Sequence, residues 1–411
     1  MRRRVAAVLL VLLPLLAGCW DRTELDDTAF AMSVGIDEAG DEFLWTFRFF
    51  QAERVQVGML AATPQPQLQR FGLVTVRGRN LEQAVQLAQT GAGRIVSLEQ
   101  LRIVVIGEAV AKRGVGSLLD QLVQHNQVRR GAAMVMARGR AGEMFAAYHP
   151  LEHETPLKYV EGILLVAKRV HQTPYTRIQH FYGRYLSPGA DPFLFLVAVK
   201  PPEERQQPPD PDLPPMSDQS RLAGDLPKAG GNPLEFAGTA VFRRDRLAGL
   251  LSVDETAALL ALRGEMGKVY ASVPDPLAPG QQVAFRFHQE NKPKYWVSFQ
   301  RGRPVVHVRI QLEAEIISMT GTTLYREPTN RHALEAFTVD HLRRTIYVPM
   351  LRKVYGEWGA DAVGFGDMYR TQFPTFDAFL DYRWHDHIRE LQADVTIDLF
   401  IRRFGMVIHH P

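Results

Sequence analysis

Residues 43–50 read FLWTFRFF, and Phe43, Trp45, Phe47 and Phe49 alternate with Leu44, Thr46, Arg48 and Phe50. A period of two predicts a strand with one strongly aromatic face. Val74 to Gly78 resumes strand character. Asn80 stands where an N-cap would, and Leu81, Ala84, Val85 and Ala88 then recur at helical spacing up to Gly91. Leu101 to Gly107, LRIVVIG, is a continuous apolar run, which suits a strand buried on both faces. A helix over 117–125, a strand over 132–137, helices over 141–148 and 156–170 and a strand over 191–199 follow. Alternating strands and helices predict an α/β layered unit. Between them, 56–70 carries Pro64, Pro66 and four glutamines and reads as an exposed loop.

The pattern breaks over 201–233, where nine prolines fall within one segment. Dense proline favours extended chain over a packed core, so this stretch reads as a linker. Beyond it, 235–242 and 247–251 predict a hairpin turning at Arg243 to Arg246. Ser252 and Glu255 match a capping box, with Ala257, Leu259, Leu260 and Leu262 on the helix that follows. Strands are predicted over 283–289, 295–300 and 305–317. In the last, Val306, Val308, Ile310 and Leu312 alternate with polar neighbours. A long helix is predicted over 331–358, kinked at Pro349. Short helices from Gly366 and over 375–387, and a last strand over 392–402, complete the chain. The fold class implied is α/β and α+β: a three-domain protein with mixed sheets flanked by helices. Its parts are 1–18, 19–200, the linker 201–233, a small ββα unit over 234–278, and 279–411.

Composition narrows the class. The chain has 48 basic and 45 acidic residues, a formal charge of +3. Arg2, Arg3 and Arg4 supply the whole excess, so without them the count is 45 of each. A neutral body argues against a general nucleic-acid binder. The positive start, the apolar run Val5 to Leu16 and then Leu16-Ala17-Gly18-Cys19 have the form of an export signal ending in a lipobox. The apolar run is short of the roughly 20 residues a spanning helix needs. Leu16, Ala17 and Gly18 are the expected signal-peptidase recognition residues, and Cys19, the sole cysteine, the expected lipidation site. Two or more acyl chains there would hold the mature chain on the extracytoplasmic face of a membrane.

Chemistry elsewhere is sparse. No zinc-protease helix, dinucleotide loop, P-loop or nucleophile elbow is present in the sequence, and Gly364-x-Gly366 reads as a tight turn between helices. His385 and His387 flank Asp386 and read as structural. No catalytic residue, metal ligand or cofactor is expected, and the protein reads as a non-enzyme. Asp21, Glu24, Asp26 and Asp27 form a small acidic cluster next to the anchor, read as a solvated surface.

Four blocks carry a family resemblance. They are Trp20-Asp21-Arg22-Thr23-Glu24-Leu25-Asp26-Asp27 directly after Cys19, with Ala31 to Asp37; Glu235 to Phe242 with Leu247 to Leu251 and Glu255-Thr256; Asp361 to Gly366; and Ile401 to Gly405. Together, and in order, they resemble the Ger(x)C family, the lipoprotein C subunits of bacterial spore germinant receptors. The proline-rich segment and Pro349 depart from that family's pattern. The resemblance implies a C subunit that assembles with a multi-pass A subunit and a transporter-like B subunit, in nutrient-triggered germination at the spore inner membrane. Direct nutrient binding by the C subunit is the weaker implication. The rival readings are a solute-binding lipoprotein of a transporter, with strands crossing between two lobes, and an exported hydrolase.

Overall fold

The structure is a computed structural model; it describes residues 27–50, 71–147, 162, 166, 174–204, 222–300, 303–320 and 323–404. The leader, Leu16 to Cys19, the loop expected over 56–70, most of the helix expected over 156–170 and the stretch 205–221 of the linker lie outside the described residues.

The first sheet contains β1 (Thr28–Ala39), β2 (Glu42–Phe50), β3 (Phe71–Gly78), β4 (Ile95–Ser97), β5 (Ile103–Gly107), β6 (Ala133–Arg138), β7 (Phe193–Val199), β8 (Leu234–Arg243) and β9 (Arg246–Leu251). The order is β3-β2-β1-β5-β6-β7-β8-β9, with β4 beside the start of β1. From β1 through β5 and β6 to β7 the strands run parallel, and antiparallel hairpins flank them on both sides. The aromatic face of β2 is buried as its period predicts. All five residues of β5 are buried, because helices cover both faces of a parallel centre. Asn80 caps the helix Leu81–Ala92 by accepting from Gln83 N over 2.8 Å.

The pattern reading contains no strand over 28–39, yet β1 lies in the middle of this sheet. Gly35 and Asp37 interrupt its apolar run, and both are explained by packing. A Cβ on Gly35 would lie 2.9 Å from the Phe145 ring. The Asp37 carboxylate accepts from Ala141 N over 2.7 Å and from Gly142 N over 2.9 Å. Arg140, at the N-cap of the helix Ala141–Ala146, provides no side-chain cap, so a strand residue 104 positions away supplies it.

The hairpin grouped with 234–278 does not stand apart. β8 pairs with β7 from Val199↔Leu234 to Phe193↔Val241, so β8 and β9 extend the first sheet. The helix Val253–Arg263 instead joins the core of the second unit. The end of the linker is pinned as well. Lys200 Nζ donates to the carbonyls of Leu226 and Lys228, both over 2.7 Å, and the buried Glu235 accepts from Gly224 N and Leu226 N. Local alternation gave the hairpin correctly, but which strand it would join depends on closure across that linker.

The second sheet has five strands in the order β10-β11-β13-β12, with β14 beside β13. They are β10 (Val269–Pro274), absent from the pattern reading, β11 (Gln282–Gln289), β12 (Lys294–Gln300), β13 (Arg303–Met319) and β14 (Gln392–Phe404). β13 and β14 run parallel over twelve residue pairs, and the other pairs are antiparallel. One face carries Val306, Val308, Ile310 and Leu312 into the core. The other face is half-buried to exposed and laced by cross-strand ion pairs such as Arg309–Asp398 and Arg402–Glu313.

The predicted long helix starts earlier, with Pro328 at its first position, and is divided. Pro328–Leu342 is α-helical, Arg343–Tyr347 is a π turn, Val348–Leu351 is α-helical again and Arg352–Trp358 is a second π turn. Val348 N–H donates to Arg343 O, five residues back. The helix is therefore already widened where Pro349 enters without an N–H, which relieves the clash a narrower turn would impose. The expected helix over 375–387 breaks at Arg383, whose φ of 55° is left-handed.

Candidate functional site

The two units meet at a buried polar node built from Asp361-Ala362-Val363-Gly364-Phe365-Gly366. Gly359 ends the second π turn with φ 62°, and Gly364 opens the helix Phe365–Tyr369 with φ 95°. Between them Asp361 is fully buried. Its Oδ1 accepts from Gly364 N (2.7 Å), Phe365 N (2.9 Å) and Tyr355 Oη (2.5 Å). Its Oδ2 accepts from Gly366 N (2.7 Å) and Trp384 Nε1 (3.0 Å). One carboxylate therefore meets the orphan N–H groups of a helix start and the polar tips of two core aromatics. Burial pushes the Asp361 carboxyl above its usual range, and the donated hydrogen bonds oppose that shift. Burial, reinforced by the Asp361 charge, also pushes the Tyr355 phenol well above its usual range.

The first unit answers with Asp191, also fully buried, just before β7. Asp191 N donates to Asp361 O over 2.8 Å, and Asp361 N donates back to Asp191 Oδ2 over 2.8 Å. Asp191 Oδ1 accepts from Arg244 N over 2.7 Å, and Oδ2 lies 3.1 Å from His385 Nε2. Arg184 donates to the carbonyls of Asp191 (2.8 Å), Asp361 (3.3 Å) and Ala362 (2.6 Å). Arg263 donates to the carbonyls of Ala362 (3.3 Å) and Val363 (2.9 Å). Both guanidinium groups sit over the Phe193 ring, 4.9 and 5.0 Å from its centroid. Burial, with Arg263 close by, brings the Arg184 guanidinium down to about 10. Two buried carboxylates and two half-buried arginines thus share one junction, each with hydrogen-bond partners.

Glycines let the backbones close on each other. A Cβ on Gly366 would lie 2.5 Å from Trp384 and 2.6 Å from Gly189 O. A Cβ on Gly189 would lie 2.7 Å from Asp367 N, which donates to Gly189 O over 3.0 Å. On β9, a Cβ on Gly249 would lie 2.2 Å from the Trp358 indole of the second unit. Behind the indole, Lys353 links two elements of the second unit. It reaches both oxygens of Glu255 over 3.1 Å and lies 5.3 Å from the Trp358 ring centroid. The capping box itself is formed, with Glu255 N donating to Ser252 Oγ and Ser252 N to Glu255 Oε2.

The node holds two parts of the chain in one arrangement. Its carboxylates are saturated by N–H and O–H donors and closed off from solvent, a setting for structural linkage rather than proton transfer. The sequence-predicted site residues Leu16, Ala17, Gly18 and Cys19 lie outside the described residues. The resemblance blocks fare differently: Gly35 and Asp37 seat a helix, Gly249 seats Trp358, and Asp361 to Gly366 form the node. Arg184, Asp191, Arg263, Tyr355 and Trp384 were not singled out by sequence, and His385, read as structural, is part of the same node. The local signal available was an aspartate three, four and five residues before N–H groups of a glycine-rich helix start. Among the described residues no group of three or more candidate metal ligands occurs, and no helix is long and apolar enough to cross a membrane. A small apolar cavity of about 40 Å³ lies among Met266, Phe287, Leu312, Leu342 and Tyr347, with Asp254 also lining it. Small-molecule pockets are typically several-fold larger.

Comparison with known proteins divides the chain near the linker. A family described as "Spore germination protein N-terminal domain" matches residues 21–199, and "Spore germination B3/GerAC like, C-terminal" matches residues 237–405. The second match starts inside β8, although β8 belongs to the first sheet. The chain is 24% identical over 401 residues to the putative spore germination protein YfkR of Bacillus subtilis (strain 168), covering 96% of this chain and 94% of that one. It is 25% identical to spore germination protein KC of the same organism, covering 98% and 97%. Spore germination protein B3, again from that organism, is 23% identical with 98% of each chain covered. In three dimensions the crystal structure of the GerBC protein aligns with a TM-score of 0.53 at 17% identity, over 92% of this chain and 100% of that one.

Proposed function

The chain belongs to the Ger(x)C family of spore germination proteins, and from that premise we propose that it is the C subunit of a nutrient germinant receptor. In this reading it is a non-catalytic lipoprotein. Leu16-Ala17-Gly18 directs cleavage before Cys19, a diacylglyceryl anchor on Cys19 holds the body at the spore inner membrane, and multi-pass A and B subunits are its partners. The observation that carries the reading is the Asp191–Asp361 node. It joins the two family-matched regions through reciprocal hydrogen bonds, so the body offers its partners surfaces in fixed relation. A receptor subunit that assembles a complex, or passes on its state, needs such coupling between faces. A solute-binding lipoprotein would have strands crossing repeatedly between lobes. Among the described residues the chain passes from the first sheet into the second unit at Leu251–Val253.

The test is co-purification of the tagged full-length protein from spore membranes, with its companions identified by mass spectrometry. Two multi-pass receptor-type proteins are the expected companions; an ATP-driven importer in their place would overturn the reading. Anchoring is tested by Cys19→Ala, which is expected to move the protein out of the membrane fraction.

A further inference from the structure

The end of the first sheet where β1 begins carries cations that the node does not use. Thr28 pairs with Ile95; further along, Ser33 pairs with Ile103, and Ile103 with Ala133. This register sets the loops before β4 and before β6 at the end from which β1 starts. Leu98, just after β4, donates its N–H to Gln127 Oε1 over 3.0 Å, which ties the far end of β4 to the loop before β6. Arg94, Arg129 and Arg130 are exposed on these loops, and Ile95 beside them is 51% exposed. None of the three arginines is ion-paired with a described residue. By contrast, Arg77, Arg113, Arg138, Arg309 and Arg402 each face a carboxylate. Asp27, just before β1, and Glu99, just after β4, are exposed acids of the neighbouring segments.

Where the chain leads from here fixes the partner. Cys19 precedes Thr28 by nine residues, which span roughly 30 Å when fully extended. An acylated Cys19 would therefore keep the start of β1 within roughly 30 Å of the headgroups.

We propose that Arg94, Arg129 and Arg130, with the exposed Ile95, form a surface that rests on anionic phospholipid. The inference relies on the Cys19 reading for its orientation. Arginines gain from the negative surface potential of a bilayer, by roughly fivefold in binding for each one close to the surface. Ile95 supplies an apolar contact at the interface. Asp21, Glu24, Asp26 and Asp27 precede this surface and oppose the attraction, so the patch orients an acyl-anchored body and does not replace the anchor.

The experiment uses the whole mature chain from residue 19 with Cys19→Ser, so that no acyl chain contributes. It is co-sedimented with vesicles of phosphatidylcholine alone, and with vesicles containing one-third phosphatidylglycerol, at low and high salt. The chain is expected to bind the anionic vesicles at least tenfold more tightly than the neutral ones, with the difference lost at high salt. R94Q/R129Q/R130Q is expected to lose that preference, while R326Q/R331Q/R352Q, on the second unit, keeps it. Equal binding of the unsubstituted chain to both vesicles overturns the proposal, whatever the variants do. So does an equal loss in both triple variants. Acylation is read separately, by mass spectrometry of residue 19 in the full-length protein: an unmodified thiol would remove the anchor reading and leave the vesicle result standing.

Discussion

Asp37 and Asp361 are two buried carboxylates that do the same local job in different places. Each accepts backbone N–H groups at the start of a short helix whose own N-cap residue offers no side chain to it. Asp37 takes two donors, both from the helix Ala141–Ala146, and the whole arrangement stays inside the first unit. Asp361 takes five, from the helix Phe365–Tyr369, from Tyr355 and from Trp384, while its own backbone is bonded to Asp191. The first fixes one helix on one sheet. The second makes a helix start, an aromatic core and the docking of two units depend on one side chain.

That contrast can be broken, and the hardest test is Asp361→Ala. It strands five donors beside two half-buried arginines, and removing one partner from such a network costs about 3–5 kcal/mol. Thermal unfolding should show that loss together with early melting of the second unit; a loss no larger than that of Asp37→Ala would end the comparison. Asp37→Ala should cost about 2 kcal/mol, from two unmet donors and a lost cap, with increased proteolysis confined to the first unit. Gly249→Val pushes a side chain into the Trp358 ring and should cost about 1–3 kcal/mol by overpacking. Its mark is a shift in tryptophan fluorescence before any loss of helical circular dichroism. Ser252→Ala removes half of the capping box and should cost about 1 kcal/mol in urea unfolding.

The smallest effect is a slope with pH. The Asp361 carboxyl is raised by burial above its unfolded value. The folded state therefore holds its proton to higher pH than the unfolded state does, and the group's contribution to stability falls as pH rises above the ordinary carboxylate range. Asp361→Asn does not titrate. The stability of the unsubstituted protein relative to that variant should therefore decline from acidic towards neutral pH in paired urea melts. A rising difference would reverse the assignment.

The strands β2, β5, β6, β7, β11, β12, β13 and β14, the hairpin and the capped helices at Asn80 and Ser252 were legible because each follows from neighbours within a few residues. β1 was missed because Gly35 and Asp37 look like interruptions until the Phe145 ring and the Ala141 N–H are placed against them. β10 is short and only Val273 within it is buried, so its period is faint. The long helix was seen, but not its two π turns, because Pro349 announces a disturbance without saying how the backbone absorbs it. The node was half visible: Gly364 and Gly366 marked a tight turn, while nothing near Asp191 or Arg184 distinguished them from ordinary surface charge.

What the sequence determined by itself is what is local: hydrophobic period, caps, turns, and the blocks that resemble one family. The tertiary structure alone decided that β8 closes onto β7, so that the expected middle unit divides between its neighbours. It alone decided that Asp361 N meets an Asp191 oxygen 170 residues away. The reason is physical. A buried polar group must find a partner wherever the folded chain brings one, and that meeting depends on the packing of distant elements, which leaves no periodic trace around either residue.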